Sequence, residues 1–258
     1  MIKFRIGSRG YTIAEDWPEL DVKQLLGTVP FLYADKTDFG VRLNLLEVLV
    51  PMLKRKHVMQ LSVDDRYDLL LLTSWVWEKP LSTSKISQFK FKDQVYLLPK
   101  QNLDDMMAAE FAFADLFLKQ FVDSSEPKML DLLVATLCRP AKPAAAMQTP
   151  DWDGVEREKY NGAIAERRAL EFAGLDIATK VVVLHHFIEQ KRFVFDTYDI
   201  FSKGGEGGSG GGFDIGWVAL IFELAEMGIF GDFDKVSFTN MNTLCLYLHN
   251  KKQQRHDK

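Results

Sequence analysis

His185, His186 and Glu189 come nearest, by type and spacing, to a metal site in this chain. On a helix, His186 and Glu189 stand three residues apart, share a face and could hold a metal. A zinc peptidase needs His-Glu-x-x-His, with both histidines on one face and the glutamate as base. A di-iron bundle repeats Glu-x-x-His on two helices. The sequence contains neither pattern, and the adjacent His185 and His186 point to different faces of a helix. The expectation is no metal, no cofactor and no catalysis.

The glycine run from Gly204 to Gly212, interrupted by Glu206 and Ser209, is the place where a nucleotide site would show itself. A phosphate loop ends in Gly-Lys-Ser/Thr, so that the lysine reaches the phosphates. Here the run ends Gly211-Gly212-Phe213-Asp214, and the preceding segment, Lys191 to Lys203, is basic and aromatic. Residues 203–212 are expected to be a flexible tether. No Gly-x-Ser-x-Gly elbow with its strand context occurs: the nearest string, Gly208-Ser209-Gly210, lies inside the tether. The carboxylate pairs Asp64-Asp65 and Asp104-Asp105 fall at expected helix starts, where acids complement the helix dipole.

Two further patterns each admit two readings. Phe89, Lys90, Phe91 and Lys92 alternate on an expected strand, which suits base stacking. Alternation also puts both rings on the core side and both lysines in solvent, and that reading is preferred. Tyr160, Glu166, Arg167, Arg168 and Glu171 form a charged run. It reads as a solvated helix face with ion pairs, or as a charged docking surface. Arg167 and Glu171 are spaced i, i+4.

The elements that would position these residues are mostly helical. Ile2–Ile6 alternates apolar and basic residues, turns at Gly7-Ser8-Arg9-Gly10, and continues through Tyr11-Thr12-Ile13 as a hairpin. Asp21 is expected to cap a helix to Leu26, ended by Gly27 and Pro30. Phe39 to Lys56 carries Leu43, Leu46, Leu49, Val50 and Leu53 on one face, with Pro51 kinking or splitting it. A helix over Asp64–Trp77, capped by Ser62 or Asp64, precedes a second hairpin turning at Asp93-Gln94. Further helices are expected over Asp105–Val122, Met129–Cys138, Asp153 or Glu156 to Ala173, Asp176–Phe195, Asp214–Met227, and from Ser237 or Thr239 to Lys252. The fold class is mainly α, a helical bundle with two small β-hairpins, one N-terminal and one near residues 88–98. The proline-bounded loop Pro140–Pro150 is the expected boundary between parts 1–140 and 151–258.

Composition restricts the functional classes. Of 258 residues, 47 % are hydrophobic and 12 % aromatic, enough for a packed core. The net charge of -4 disfavours duplex nucleic acid as a partner. The two cysteines, Cys138 and Cys245, lie in apolar stretches and read as buried thiols in a reducing compartment. The start, Met1-Ile2-Lys3-Phe4-Arg5, lacks a signal-peptide core, and no run of about 18 apolar residues is long enough for a membrane span.

Three stretches in order carry a resemblance. One is the N-terminal hairpin with Trp17-Pro18-Glu19-Leu20. The second is Val95-Tyr96-Leu97-Leu98-Pro99 running through Leu103-Asp104-Asp105-Met106-Met107 into Ala109-Glu110-Phe111. The third is Arg139-Pro140, the loop to Asp151-Trp152-Asp153, and Glu156-Arg157. Together they resemble uncharacterised proteins of phages and prophages of gut Bacteroidetes, encoded among tail and virion-assembly genes. The closing segment, Thr243-Leu244 before Tyr247-Leu248 and Lys251-Lys252, resembles the end of some of them. The resemblance implies a tail assembly chaperone-like factor in the bacterial host cytoplasm, holding apolar segments of another tail protein such as the tape measure or tail tube. The alternative it leaves is a structural connector or tail-completion protein forming homo-oligomers. No catalytic residue is implied. Trp17, Met106, Met107, Phe111 and Phe113 are the candidate partner-contacting side chains, and for the four from residues 106–113 core packing is the preferred reading. Trp75 and Trp77 fit core or partner anchoring alike.

Overall fold

A computed structural model describes residues 1–83, 85–150, 152–199 and 216–256. The expected tether at 203–212, the start of the next helix at Asp214, and Asp151 lie outside the described residues. The chain divides into two compact units. The first comprises Met1–Ile86 and Ile177–His185, the second Ser87–Asp176 and His186–Lys258. The Pro140–Pro150 loop, expected to separate two parts, therefore lies inside the second unit.

The first unit opens with β1 (Ile2–Ile6) and β2 (Arg9–Ile13), paired antiparallel with Ile6 opposite Arg9. The turn is Gly7-Ser8 alone, one register tighter than the sequence suggested, and Gly7 takes the left-handed φ of 58° that it requires. Trp17–Glu19 form a 3-10 turn, and α1 (Val22–Thr28) follows. Asp21 and Gln24 close a reciprocal capping box at its start. Gly27 does not end α1. It lies inside, where an added Cβ would stand 2.9 Å from Val48 Cγ1, so its role is close helix approach. A 3-10 segment, Val29–Tyr33, leads to α2 (Phe39–Leu49), capped by Asp38.

Pro51 splits the long apolar segment, as expected, and α3 (Arg55–Met59) resumes after it. Leu43, Leu46, Leu49, Val50 and Leu53 are all buried. Next come α4 (Val63–Leu71), capped by Ser62, and α5 (Trp75–Glu78). The single helix expected to Trp77 breaks at residues 72–74. There the Arg42 guanidinium donates to Leu70 O at 3.2 Å and Ser74 Oγ at 2.9 Å, supplying the helix end with a partner. Trp17 is buried edge-on against Trp75, with ring centroids 5.2 Å apart. Its Nε1 donates to Lys79 O. Trp77 donates to Phe31 O and stacks under Arg42. Both Trp75 and Trp77 thus serve packing within the unit.

The second unit opens with β3 (Gln88–Phe91) and β4 (Gln94–Leu97), antiparallel with Phe91 opposite Gln94. The turn is Lys92-Asp93, one residue earlier than expected, with Lys92 in the left-handed region. Phe89 and Tyr96 are buried against Phe172, and Lys90 is exposed, so the rings do face the core. After a 3-10 turn (Gln101–Leu103) come α6 (Ala108–Ser124) and α7 (Pro127–Leu137). Residues 152–161 are not the expected start of a helix. Ala141 bridges Arg157 in extended conformation, and α8 (Gly162–Phe172) begins only after the Asn161 cap. The long helix α9 (Ile177–Tyr198) contributes its first turns to the first unit and the remainder to the second. In the second unit α10 (Trp217–Glu226), α11 (Phe233–Ser237) and α12 (Met241–His256) pack on α6. Ala108, Ala112, Ile221, Leu224, Val236 and Leu244 form that core.

Candidate functional site

The chemistry of the second unit concentrates at the C-terminus of α7. From Leu130 to Leu137 every residue of α7 is buried, as expected for a helix packed on all sides. A helix end buried this way leaves carbonyls that require donors. Two arginines supply them. Arg157 Nη1 donates to Leu137 O at 2.7 Å, and Arg168 Nη1 donates to Ala135 O at 3.2 Å. Both also place positive charge at the negative end of the helix dipole.

Arg157, only 1 % exposed, is the centre of a charge cluster. Its Nε donates to Asp105 Oδ2 at 2.8 Å and its Nη1 to Glu110 Oε1 at 2.6 Å. Arg139 Nη2 donates to the other oxygen, Glu110 Oε2, at 2.6 Å. Asp105 in turn accepts from the Lys100 backbone N–H at 2.7 Å. Asp105 is therefore not a helix cap, because α6 begins three residues later and its carboxylate faces a guanidinium. Burial opposes the charged form of Arg157, but Glu110 and Asp105 outweigh it and hold its pKa above the ordinary value. Burial lowers Arg139 despite Glu110, and its Nε has no hydrogen-bond partner. Burial, with Glu110 nearby, pushes the Tyr160 hydroxyl up to about 12. Burial likewise raises the Cys138 thiol, so the cluster holds no ready nucleophile. The carboxylates are saturated by guanidinium and backbone donors, and the arrangement cross-links α6, α7 and the 139–157 segment.

An open groove lies between α7 and α8, with a volume of about 720 Å³. Asp131, Leu132 and Ala169 are buried in its floor, and Lys128, Glu166 and Arg167 stand exposed around it. The helix α8 turns Ala165, Arg168, Ala169 and Phe172 inward. Its opposite face carries Ala163, Leu170 and Ala173, and Leu170 is 75 % exposed. Of the charged run read from the sequence, Glu166 and Arg167 line this groove, whereas Arg168 is buried and bonded to Glu158 at 2.6 Å.

The candidate partner residues are divided between the two units. Trp17, Met106 and Phe111 are buried, Trp17 in the first unit and the others in the second. Met107 is half-buried, and Phe113, 37 % exposed, is the most accessible of the five. Phe111 packs against Phe187 and Trp217 as a core residue. His185 and His186 diverge as expected. His185 meets Tyr33 at 3.1 Å, and the buried His186 meets Pro99 O at 3.0 Å. Among the described residues no group of His, Cys, Asp and Glu could hold a metal. No described helix is long and apolar enough to cross a membrane.

The charge cluster was missed because its members are spread over 52 residues of sequence. Asp105, Glu110, Arg139 and Arg157 lie in two separate stretches of the sequence, and those four side chains meet. No protein-family model, no curated protein and no solved structure matches this chain.

Proposed function

We propose that this chain is a non-catalytic virion-assembly factor that holds a helical segment of another tail protein in the α7–α8 groove. The observation carrying this reading is Leu170, a large apolar side chain left in solvent on a well-packed helix, beside a groove rimmed by charges of both signs. An amphipathic helix laid into such a groove buries its apolar face on Leu170, Leu132 and the alanines. Its polar flanks meet Lys128, Glu166 and Arg167. The rigid cluster behind α7 supports this role, because a preformed groove costs less ordering on binding. The phage setting rests on the resemblance of the three stretches named above.

The test is co-expression with each structural protein encoded beside it, followed by purification through a tag on this chain. One tail protein is expected to co-purify in stoichiometric amount. Leu170→Glu is expected to reduce capture at least tenfold without changing the melting temperature, since Leu170 contributes little to the core. Failure of every neighbouring gene product to co-purify, or full capture by Leu170→Glu, rejects the proposal. Homo-oligomeric rings in native mass spectrometry would favour the connector reading instead.

A further inference from the structure

Strand β2 has one partner, β1, and its other edge is unpaired among the described residues. Only Gly7 and Ser8 separate the strands, so Ile6 and Arg9 form the closing hydrogen-bonded pair, and bonded and non-bonded pairs alternate from there. Gly10 and Thr12 therefore turn their N–H and C=O groups away from β1. Neither residue makes another backbone hydrogen bond among the described residues. A groove of about 600 Å³ lies against this strand, lined by Arg9, Gly10, Tyr11 and Thr12, with Leu49, Val50 and Met52 opposite. The face of a strand would contribute every second residue; four in succession mean that the groove follows its edge. Leu49 and Val50 are buried in the groove, while Met52 is 84 % exposed.

The hairpin's own side chains carry charge of one sign, while Asp65 and Asp68 line a neighbouring groove with Arg5. From Met1 to Ala14 the chain holds Lys3, Arg5 and Arg9 and no carboxylate. Lys3 and Arg5 stand opposite Thr12 and Gly10, on the exposed face of the hairpin. Natural edges are blocked by proline, by inward-pointing charges or by bulges, and Gly10 and Thr12 carry none of these.

We propose that the free edge of β2 is a strand-addition site for an extended acidic peptide of a partner protein. Its backbone pairs with Gly10 and Thr12, one row of side chains enters the groove over Leu49 and Val50, and its carboxylates meet Arg9 and the hairpin cations. A second copy of this chain fits less well, since its β2 offers no carboxylate to Arg9. This site lies wholly in the first unit and does not depend on the α7–α8 groove.

The full-length protein is titrated into a fluorescein-labelled peptide of alternating valine and glutamate, and into its lysine counterpart, with anisotropy as readout. The glutamate peptide is expected to bind and to weaken with salt, and the lysine peptide not to bind. Thr12→Pro removes the outward N–H while sparing the β1 ladder, and is expected to cut affinity at least tenfold. Arg9→Glu is expected to weaken the glutamate peptide about tenfold. Leu170→Glu should leave peptide binding unchanged. If Thr12→Pro fails to fold, hydrogen exchange decides: the Gly10 and Thr12 amides of the natural chain must slow when the glutamate peptide is added. Equal binding of both peptides, no binding of either, unchanged exchange at these amides, or dimers formed through β2 would overturn the proposal.

Discussion

Glu110 is the residue on which the second unit depends most. It is buried beneath two guanidiniums, so its removal leaves Arg139 without a carboxylate and Arg157 with Asp105 alone, away from water. Glu110→Gln is expected to lower stability by about 3–5 kcal/mol in urea unfolding. Replacing Asp105, Glu110, Arg139 and Arg157 together by apolar residues of similar size is expected to recover most of that loss, because no ion is then left unpaired. A loss under about 1 kcal/mol for Glu110→Gln would mean that water reaches the cluster. His186 gives the same sign of pH dependence as a paired acid, but in a higher pH window. Burial lowers its pKa below the ordinary 6.5, against the opposing influence of Pro99 O, Glu189 and Asp105, while Arg157 reinforces the shift. The unfolded chain takes up the proton first, so this contribution is complete above about pH 6.5 and is lost as the pH falls through that value toward the folded pKa. The melting temperature of His186→Asn should fall less steeply over that window than that of the natural protein.

At the scale of elements, arginine at helix C-termini is a recurring device. Arg42 serves α4, Arg66 donates to Met59 O and Leu61 O beyond α3, and Arg157 and Arg168 serve α7. None of these was legible in the sequence, because each donor lies in another element or turn. The elements themselves were legible wherever a local rule decided them. The Asp21 cap, the Pro51 break and the alternation of Phe89 and Phe91 all read correctly, since neighbours a few residues away set them. Gly27 and Arg157 read wrongly for the converse reason. Glycine normally ends helices, and Glu156-Arg157 looks like an exposed helix start, yet Val48 and Glu110 decide their roles from afar. Gly27→Ala tests the first. Its better helix propensity is worth about 1 kcal/mol, but Val48 is β-branched and stiff, so the clash should dominate. A net loss of about 1–3 kcal/mol is expected in thermal unfolding, and any gain would show that Val48 yields.

Across the whole molecule, the mainly helical class with two hairpins was readable from periodicity, whereas the division into units was not. Composition marks prolines and polar loops, and so the Pro140–Pro150 stretch looked like a boundary. Compactness follows tertiary contacts, and those place Ser87–Asp176 together. The candidate groove was half legible. Glu166 and Arg167 read as a solvated helix face, with a docking surface as the alternative, but Leu170 was unremarkable among many leucines, since only the orientation of α8 reveals its exposure. The cluster around Glu110 also sets an order of events during synthesis. Arg139 follows Glu110 by 29 residues and Arg157 by 47. At roughly 5–20 residues per second, the nascent chain spends seconds with an acid that has no cation to meet. A chain halted between Glu110 and Arg139 holds that acid without either guanidinium, and limited proteolysis is expected to cut it faster than a chain halted after Arg157.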